Sequence, residues 1–188
     1  MKNIVILASG SGTNAENIIR YFEDHSTIRV SLVLSNKKEA GVLDRANNLK
    51  VSALSFNRTA LDNGIVLQLL KEISPDLIVL AGFLWKIPEP VISAFPDRII
   101  NIHPALLPKF GGKGMYGAHV HKAVIEKGEK ESGITIHYVN AHYDEGAIIF
   151  QKSVAVNTED TPETLAEKIH QLEYENFPKV IESLLSDD

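Results

Sequence analysis

Asn101 and His103 stand two positions apart where the apolar run Ile99-Ile100-Asn101-Ile102 meets His103-Pro104-Ala105-Leu106-Leu107-Pro108. In an extended strand these two side chains share one face, and Ile102 takes the other. An amide donates N–H bonds without carrying charge, and an imidazole donates or holds a proton near neutral pH. Together they could stabilise an oxyanion. Open parallel sheets bind ligands outside the carboxyl ends of their strands, which is where this pair would emerge. The same residues could instead only satisfy turn backbone groups, since Pro104 and Pro108 stop helix and sheet alike. The choice between these readings rests on the rest of the chain.

Asp144 falls in the polar stretch Asn140-Ala141-His142-Tyr143-Asp144-Glu145-Gly146, a loop expected between two strands. It could shape a turn with Gly146, or, set beside His103, favour the imidazolium and orient its ring. Ser9-Gly10-Ser11-Gly12-Thr13-Asn14-Ala15 lies between an apolar run and a helical pattern. There backbone N–H groups and the helix dipole attract an anion, phosphate foremost. Gly10 and Gly12 permit close backbone approach, while Ser11, Thr13 and Asn14 add side-chain hydrogen bonds. The loop also fits a Gly-x-Gly-x-x-Ala dinucleotide fingerprint. That reading wants an acidic residue at the end of the second strand, which closes as Leu34-Ser35-Asn36-Lys37. His119-x-His121 suggests a metal pair, but residues two apart on a helix diverge and a site needs a convergent third ligand. No metal is expected, and both histidines are expected to be exposed or to pack in loops.

The elements that must position these groups alternate. Apolar runs at 4–8, 28–35, 51–55, 76–81 and 98–102 read as strands. Leu77-Ile78-Val79-Leu80 is apolar throughout, as in a parallel strand buried on both faces. Helical spacing appears in Ala15, Ile18, Ile19 and Phe22, over 41–49, and in Leu61, Ile65, Leu69 and Ile73, read as one helix. The glycine-rich stretch 111–117 is irregular, 119–127 is helical, and 131–139 and 147–156 are two longer strands around the Asp144 loop. Thr161 caps the last helix with Pro162 at its first position, Leu165, Ile169, Leu172 and Val180 form its buried stripe, and Pro178 should kink it. The expected fold is a doubly wound α/β domain with a mostly parallel sheet and a mixed carboxyl-terminal extension.

Composition bounds the function. A chain of 188 residues fits one domain, and 44% hydrophobic with 23% charged residues is ordinary globular content. A net charge of -5 disfavours a chain-wide nucleic-acid surface. With no cysteine, disulfides, thiolate metal sites and a thiol nucleophile are excluded. The apolar run at the amino terminus is too short for a signal peptide, and no stretch approaches the roughly 20 residues that cross a bilayer, so a cytoplasmic protein is expected.

The ordered motifs Gly10-Ser11-Gly12-Thr13-Asn14, Leu80-Ala81-Gly82-Phe83, Asn101-Ile102-His103-Pro104, Leu106-Leu107-Pro108, Gly133-Ile134-Thr135-Ile136-His137 and Asp144-Glu145-Gly146 closely resemble the phosphoribosylglycinamide formyltransferase family. The resemblance spans nearly the whole chain and implies a single formyltransferase catalytic domain over 1–188. It implies Asn101, His103 and Asp144 as catalytic residues. It assigns the glycinamide ribonucleotide to Gly10, Ser11, Gly12, Thr13, Asn14 and Glu173, and the folate to Arg58, Leu84, Trp85, Lys86, Ile87 and Asn101. Read without the family, Leu84, Trp85 and Ile87 would be loop packing and Glu173 a solvated helix charge. The 111–117 stretch is longer than in some relatives. The implied reaction passes the formyl group of 10-formyltetrahydrofolate, a consumed co-substrate, directly to the substrate amine, with protonated His103 and Asn101 stabilising the oxyanion and no metal. The implied partners are these two small molecules, with no nucleic acid or membrane, and the protein is a monomer or homodimer. The rivals are a formyltetrahydrofolate deformylase, whose usual extra amino-terminal domain has no counterpart before Ile4, a methionyl-tRNA formyltransferase, which carries an extra tRNA-binding domain, and a non-catalytic nucleotide-binding regulator.

Overall fold

Alternate residues of the first strand bury against opposite layers. Ile4, Ile6 and Ala8 join one apolar cluster and Val5 and Leu7 the other. A strand apolar on both faces belongs in the middle of a sheet covered by helices on either side. In the computed structural model, which describes residues 1–186, β1 (Lys2–Ala8) holds that place. Asp187 and Asp188, the end of the expected domain, lie outside the described residues.

The remaining elements are α1 (Thr13–Tyr21), β2 (Ile28–Ser35), α2 (Gly41–Asn48), β3 (Ala53–Ser55), α3 (Arg58–Asp62), α4 (Ile65–Ile73), β4 (Leu77–Leu80), α5 (Glu89–Ala94), β5 (Ile99–His103), α6 (Ala118–Glu126), β6 (Glu131–Tyr138), β7 (Ile148–Ala155) and α7 (Pro162–Ser186). The seven strands lie in the order β3-β2-β1-β4-β5-β6-β7. Pairings from β3 through β5 are parallel, and those of β5 with β6 and β6 with β7 are antiparallel. This is the doubly wound sheet with its mixed extension. Strand order reverses at β1, so the crevice beyond the carboxyl ends of β1 and β4 is the switch point where such sheets take ligands. Residues of α1, α2, α6 and α7 cover one face, and those of α3, α4 and α5 the other.

Three details depart from the expected elements. The helix expected to carry Leu61, Ile65, Leu69 and Ile73 is two helices, because Gly64 takes φ 82 between them. The buried positions are accordingly Leu61, Val66 and Leu70, and Ile65 is 63% exposed. A short helix, α5, follows Pro88, which a proline-rich segment does not advertise. In α7 the buried stripe is Leu165, Ile169, Glu173, Phe177, Ile181 and Leu185, with Leu172 and Val180 only half-buried. Pro178 lies inside that helix and offers no N–H to the Tyr174 carbonyl one turn back. Asn17 Nδ2 donates to that carbonyl instead, at 3.0 Å, which ties α1 to α7.

Candidate active site

Antiparallel pairing sets Asn101 of β5 opposite His137 of β6, and His103 opposite Thr135. All four side chains therefore leave the sheet on the face away from Ile100, Ile102, Ile134 and Ile136. Asn101 Nδ2 lies 3.2 Å from His137 Nε2, while His137 Nδ1 lies 2.8 Å from the Tyr138 carbonyl. That carbonyl only accepts, so Nδ1 carries the proton and Nε2 takes one N–H of the Asn101 amide. The second amide hydrogen remains for a ligand.

His103 is 3% exposed and donates from Nε2 to the Phe110 carbonyl at 2.7 Å. Its Nδ1 lies 3.6 Å from Asp144 Oδ2, and Asp144 Oδ1 lies 3.6 Å from His137 Nε2. Asp144 reaches this position because Gly146 passes against β6, where a Cβ would lie 1.7 Å from the Tyr138 oxygen. It is held there by the Gly112 N–H at 2.9 Å. Burial raises the Asp144 carboxyl, but His137, His103 and the Gly112 N–H outweigh it and hold the group below its ordinary value. For His103, burial is the largest influence and prevails over the pull of Asp144 and Phe110, so the imidazole sits below its ordinary value. The ligand-free protein thus presents a charged Asp144 and a neutral His103 at neutral pH, where the sequence reading had an imidazolium. The ring is set to receive a proton rather than to hold one.

At the other side of the switch point Gly12 takes φ 79 to start α1, and no side chain caps that helix. Its first-turn N–H groups are thereby left for an anion. The loop is braced from outside: Arg45 donates from Nε to the Ser11 carbonyl at 2.9 Å and also pairs with Glu16. Ser9 donates to Asn36 at 2.6 Å and accepts from the Leu84 N–H at 2.9 Å, which fastens the loop after β1 to the one after β4. Behind the loop Asn14 Nδ2 donates to Glu173 Oε2 at 2.8 Å. Glu173 is 6% exposed, so it is no solvated helix charge. Burial pushes its carboxyl up, with Asn14 and His170 pulling partly back.

One cavity of about 650 Å³ joins these groups. Its walls include Gly10 to Asn14, Glu173, Asn101, His103 and Asp144, and also Leu84, Trp85, Lys86 and Ile87. Leu84, Trp85 and Ile87 form an apolar end, with Lys86 beside it, in which Trp85 packs edge-on to Phe56 and Phe83. Arg58 is the one expected site residue outside this cavity: it lines an adjoining hollow of about 460 Å³ and stacks over Trp85 at 4.4 Å. Trp85 is shared by both.

Sequence reasoning missed His137, His121 and His170, all on the cavity wall. His137 had a signal, since period-two spacing from Thr135 places it on the polar face of an otherwise apolar strand end. His121, expected to be exposed or loop-packed, is 3% exposed because the Val120, His121 and Val124 face of α6 turns inward. His119 points outward against Tyr116, so the two imidazoles do not converge.

The sheet order and the imidazole–carboxylate cluster at its strand ends define a class: a doubly wound α/β protein with an acid–base site at the switch point. Within that class the chain belongs to the formyl transferase family, whose model matches residues 2–181. It is 40% identical over 187 residues to the chloroplastic phosphoribosylglycinamide formyltransferase of Arabidopsis thaliana, covering 96% of this chain but 64% of that relative's length. The phosphoribosylglycinamide formyltransferase of Bacillus subtilis (strain 168) is 37% identical, with 98% of this chain and 95% of the relative covered. Among solved structures, the enzyme of that name from Streptococcus pneumoniae superposes with a TM-score of 0.88 at 34% identity, covering 98% of this chain and 99% of the other.

Proposed function

We propose that this protein transfers the formyl group of 10-formyltetrahydrofolate to the amine of 5-phosphoribosylglycinamide, a step of de novo purine biosynthesis. The observation that carries the reading is the single cavity. It runs from an uncapped helix N-terminus, suited to a phosphate, past Asn101, His103 and Asp144, to an apolar end walled by Trp85, suited to a pterin or benzoyl ring. Both reactants fit end to end, with the attacking amine and the formyl carbon meeting over β5.

Gly10, Ser11, Gly12, Thr13 and Asn14 hold the phosphate and Glu173 the nucleotide beyond it. Leu84, Trp85, Lys86 and Ile87 hold the folate, with Arg58 supporting Trp85 from behind. The free N–H of Asn101 meets the oxyanion that forms when the amine adds to the formyl carbon. The ammonium proton passes to His103 Nδ1, the ring nitrogen not committed to Phe110. The imidazolium so formed faces Asp144, which stabilises it. Returning that proton to the departing folate nitrogen completes the transfer, with His103 neutral again and no covalent enzyme intermediate.

No helix among the described residues is long and apolar enough to cross a membrane. A cytoplasmic protein, a monomer or homodimer working as one 1–188 domain on small molecules alone, fits this reading. Following folate conversion with and without the nucleotide, and identifying the product by mass, tests it. Formyl loss should require 5-phosphoribosylglycinamide and yield its formylated form one for one. Equal loss in both samples would mark a deformylase, and binding without conversion a regulator.

A further inference from the structure

Most buried polar atoms in this fold have a partner, and those that do not invite the question of what completes them. Two of them belong to residues lining the main cavity beside Glu173. His121 is 3% exposed and its Nδ1 has no hydrogen-bond partner in the protein. Asn14 commits its amide nitrogen to Glu173, and its Oδ1 is likewise enclosed and unpaired. His121 lies near enough to His170 and His103 to feel their charges, and all three line the same cavity as Asn14 and Glu173.

On the reading that the substrate's phosphate lies at Gly10 to Asn14 and its amine at His103, the span between them holds the ribose and then a carboxamide. We propose that His121 is a substrate-binding residue that recognises this carboxamide, the link between the ribose and the reacting amine. Glu173, held by Asn14, meets the nucleotide beyond the phosphate, and His121 takes the carboxamide that follows. The electrical character of the site agrees. Burial, then His170 and His103, push the His121 imidazole down to about 4, so it is neutral at physiological pH. A neutral imidazole offers one N–H and one lone pair, either of which matches a carboxamide, itself both donor and acceptor. A phosphate would instead call for a cation. Discrimination follows, since a nucleotide lacking the carboxamide would leave the ring as unpaired as it is now.

The test compares His121→Leu and His121→Asn with the native protein, using 5-phosphoribosylglycinamide as substrate and ribose 5-phosphate as a competitor that has the phosphate and sugar but no carboxamide. His121→Leu should raise KM for the nucleotide by roughly tenfold, the scale of one lost hydrogen bond, with KM for the folate unchanged. His121→Asn should recover most of the loss, and the inhibition constant of ribose 5-phosphate should move in neither variant. An unchanged nucleotide KM overturns the assignment, and so does an equal loss for both ligands, which would mark a structural role. If the leucine variant does not fold, nitrogen NMR of the native histidines decides. The His121 ring resonances should shift on adding 5-phosphoribosylglycinamide and not ribose 5-phosphate, and an unmoved ring overturns it. Turnover by the native protein, measured first, separates failure of this assignment from failure of the proposed reaction.

Discussion

Three groups in this site have been moved from their solution behaviour by surroundings that can be named, and each makes a prediction. His103 is neutral because it is buried, and Asp144 opposes that burial. His103→Ala should lower kcat by roughly 100-fold or more, while nucleotide affinity, set at the other end of the cavity, changes little. Near-normal turnover in a folded variant would remove His103 from the chemistry. Activity should rise with pH as His103 loses its proton. Asp144 favours the imidazolium, so Asp144→Asn lowers the His103 pKa further and moves this acid limb to lower pH, as a pH–rate profile and NMR titration would show. Glu173 is displaced in the other direction, upward, by burial. The folded state then keeps its proton to higher pH than the unfolded chain, so its contribution to stability falls as pH rises through the folded pKa. Glu173→Gln escapes this loss. Its melting temperature should exceed the native value by about 2 °C or more near neutral pH, with the advantage fading toward acid and nucleotide binding weakened. A lower melting temperature at every pH would show that the carboxylate is held favourably.

At the scale of elements, the turn from β1 into α1 has the least freedom. A Cβ on Gly12 would lie 2.4 Å from the Val42 Cβ, and the position holds φ 79. Gly12→Ala must strain the backbone, push α2 away, or both, which should cost about 2–4 kcal/mol in stability. Nucleotide binding should fall more steeply than folate binding, and denaturant unfolding beside two ligand titrations reads both. That turn was legible in the sequence, because glycines between a strand and a helix carry their own geometry. So were β1, β4 and β5, whose apolar runs have one reading, and the shared face of Asn101 and His103, which period two dictates. The break at Gly64 was not, since Leu61, Ile65, Leu69 and Ile73 fit a continuous helix and only the packing of Val66 and Leu70 exposes the change of phase. Glu173 occupies the buried stripe of α7, where a glutamate reads as solvated until Asn14 is seen to hold it. Period two puts His137 on the polar face of its strand, but its pairing with Asn101 comes from the β5–β6 register, a long-range contact that no local pattern encodes.

For the whole molecule, the two ends of the cavity draw on opposite faces of the sheet. The nucleotide end of the cavity is built from α1, α6 and α7, which pack on one face, and the apolar end from the segment after β4, which packs with α3, α4 and α5 on the other. Asn101 and His103, at the tip of β5, line the same cavity. On the proposed reaction each ligand fills its own end, and both must be present for the reacting atoms to meet. The chain contains no cysteine, and His103 sits between Phe110 and Asp144, which on the proposed reaction suits it to proton transfer rather than to carrying an acyl group. Initial rates measured against each substrate at several fixed levels of the other should therefore give double-reciprocal lines that intersect, as for a reaction through a ternary complex. Each ligand alone should also raise the melting temperature, because it binds only the folded state. Parallel lines would mean that the formyl group rests on the protein between two half-reactions, and direct transfer over β5 would have to be abandoned.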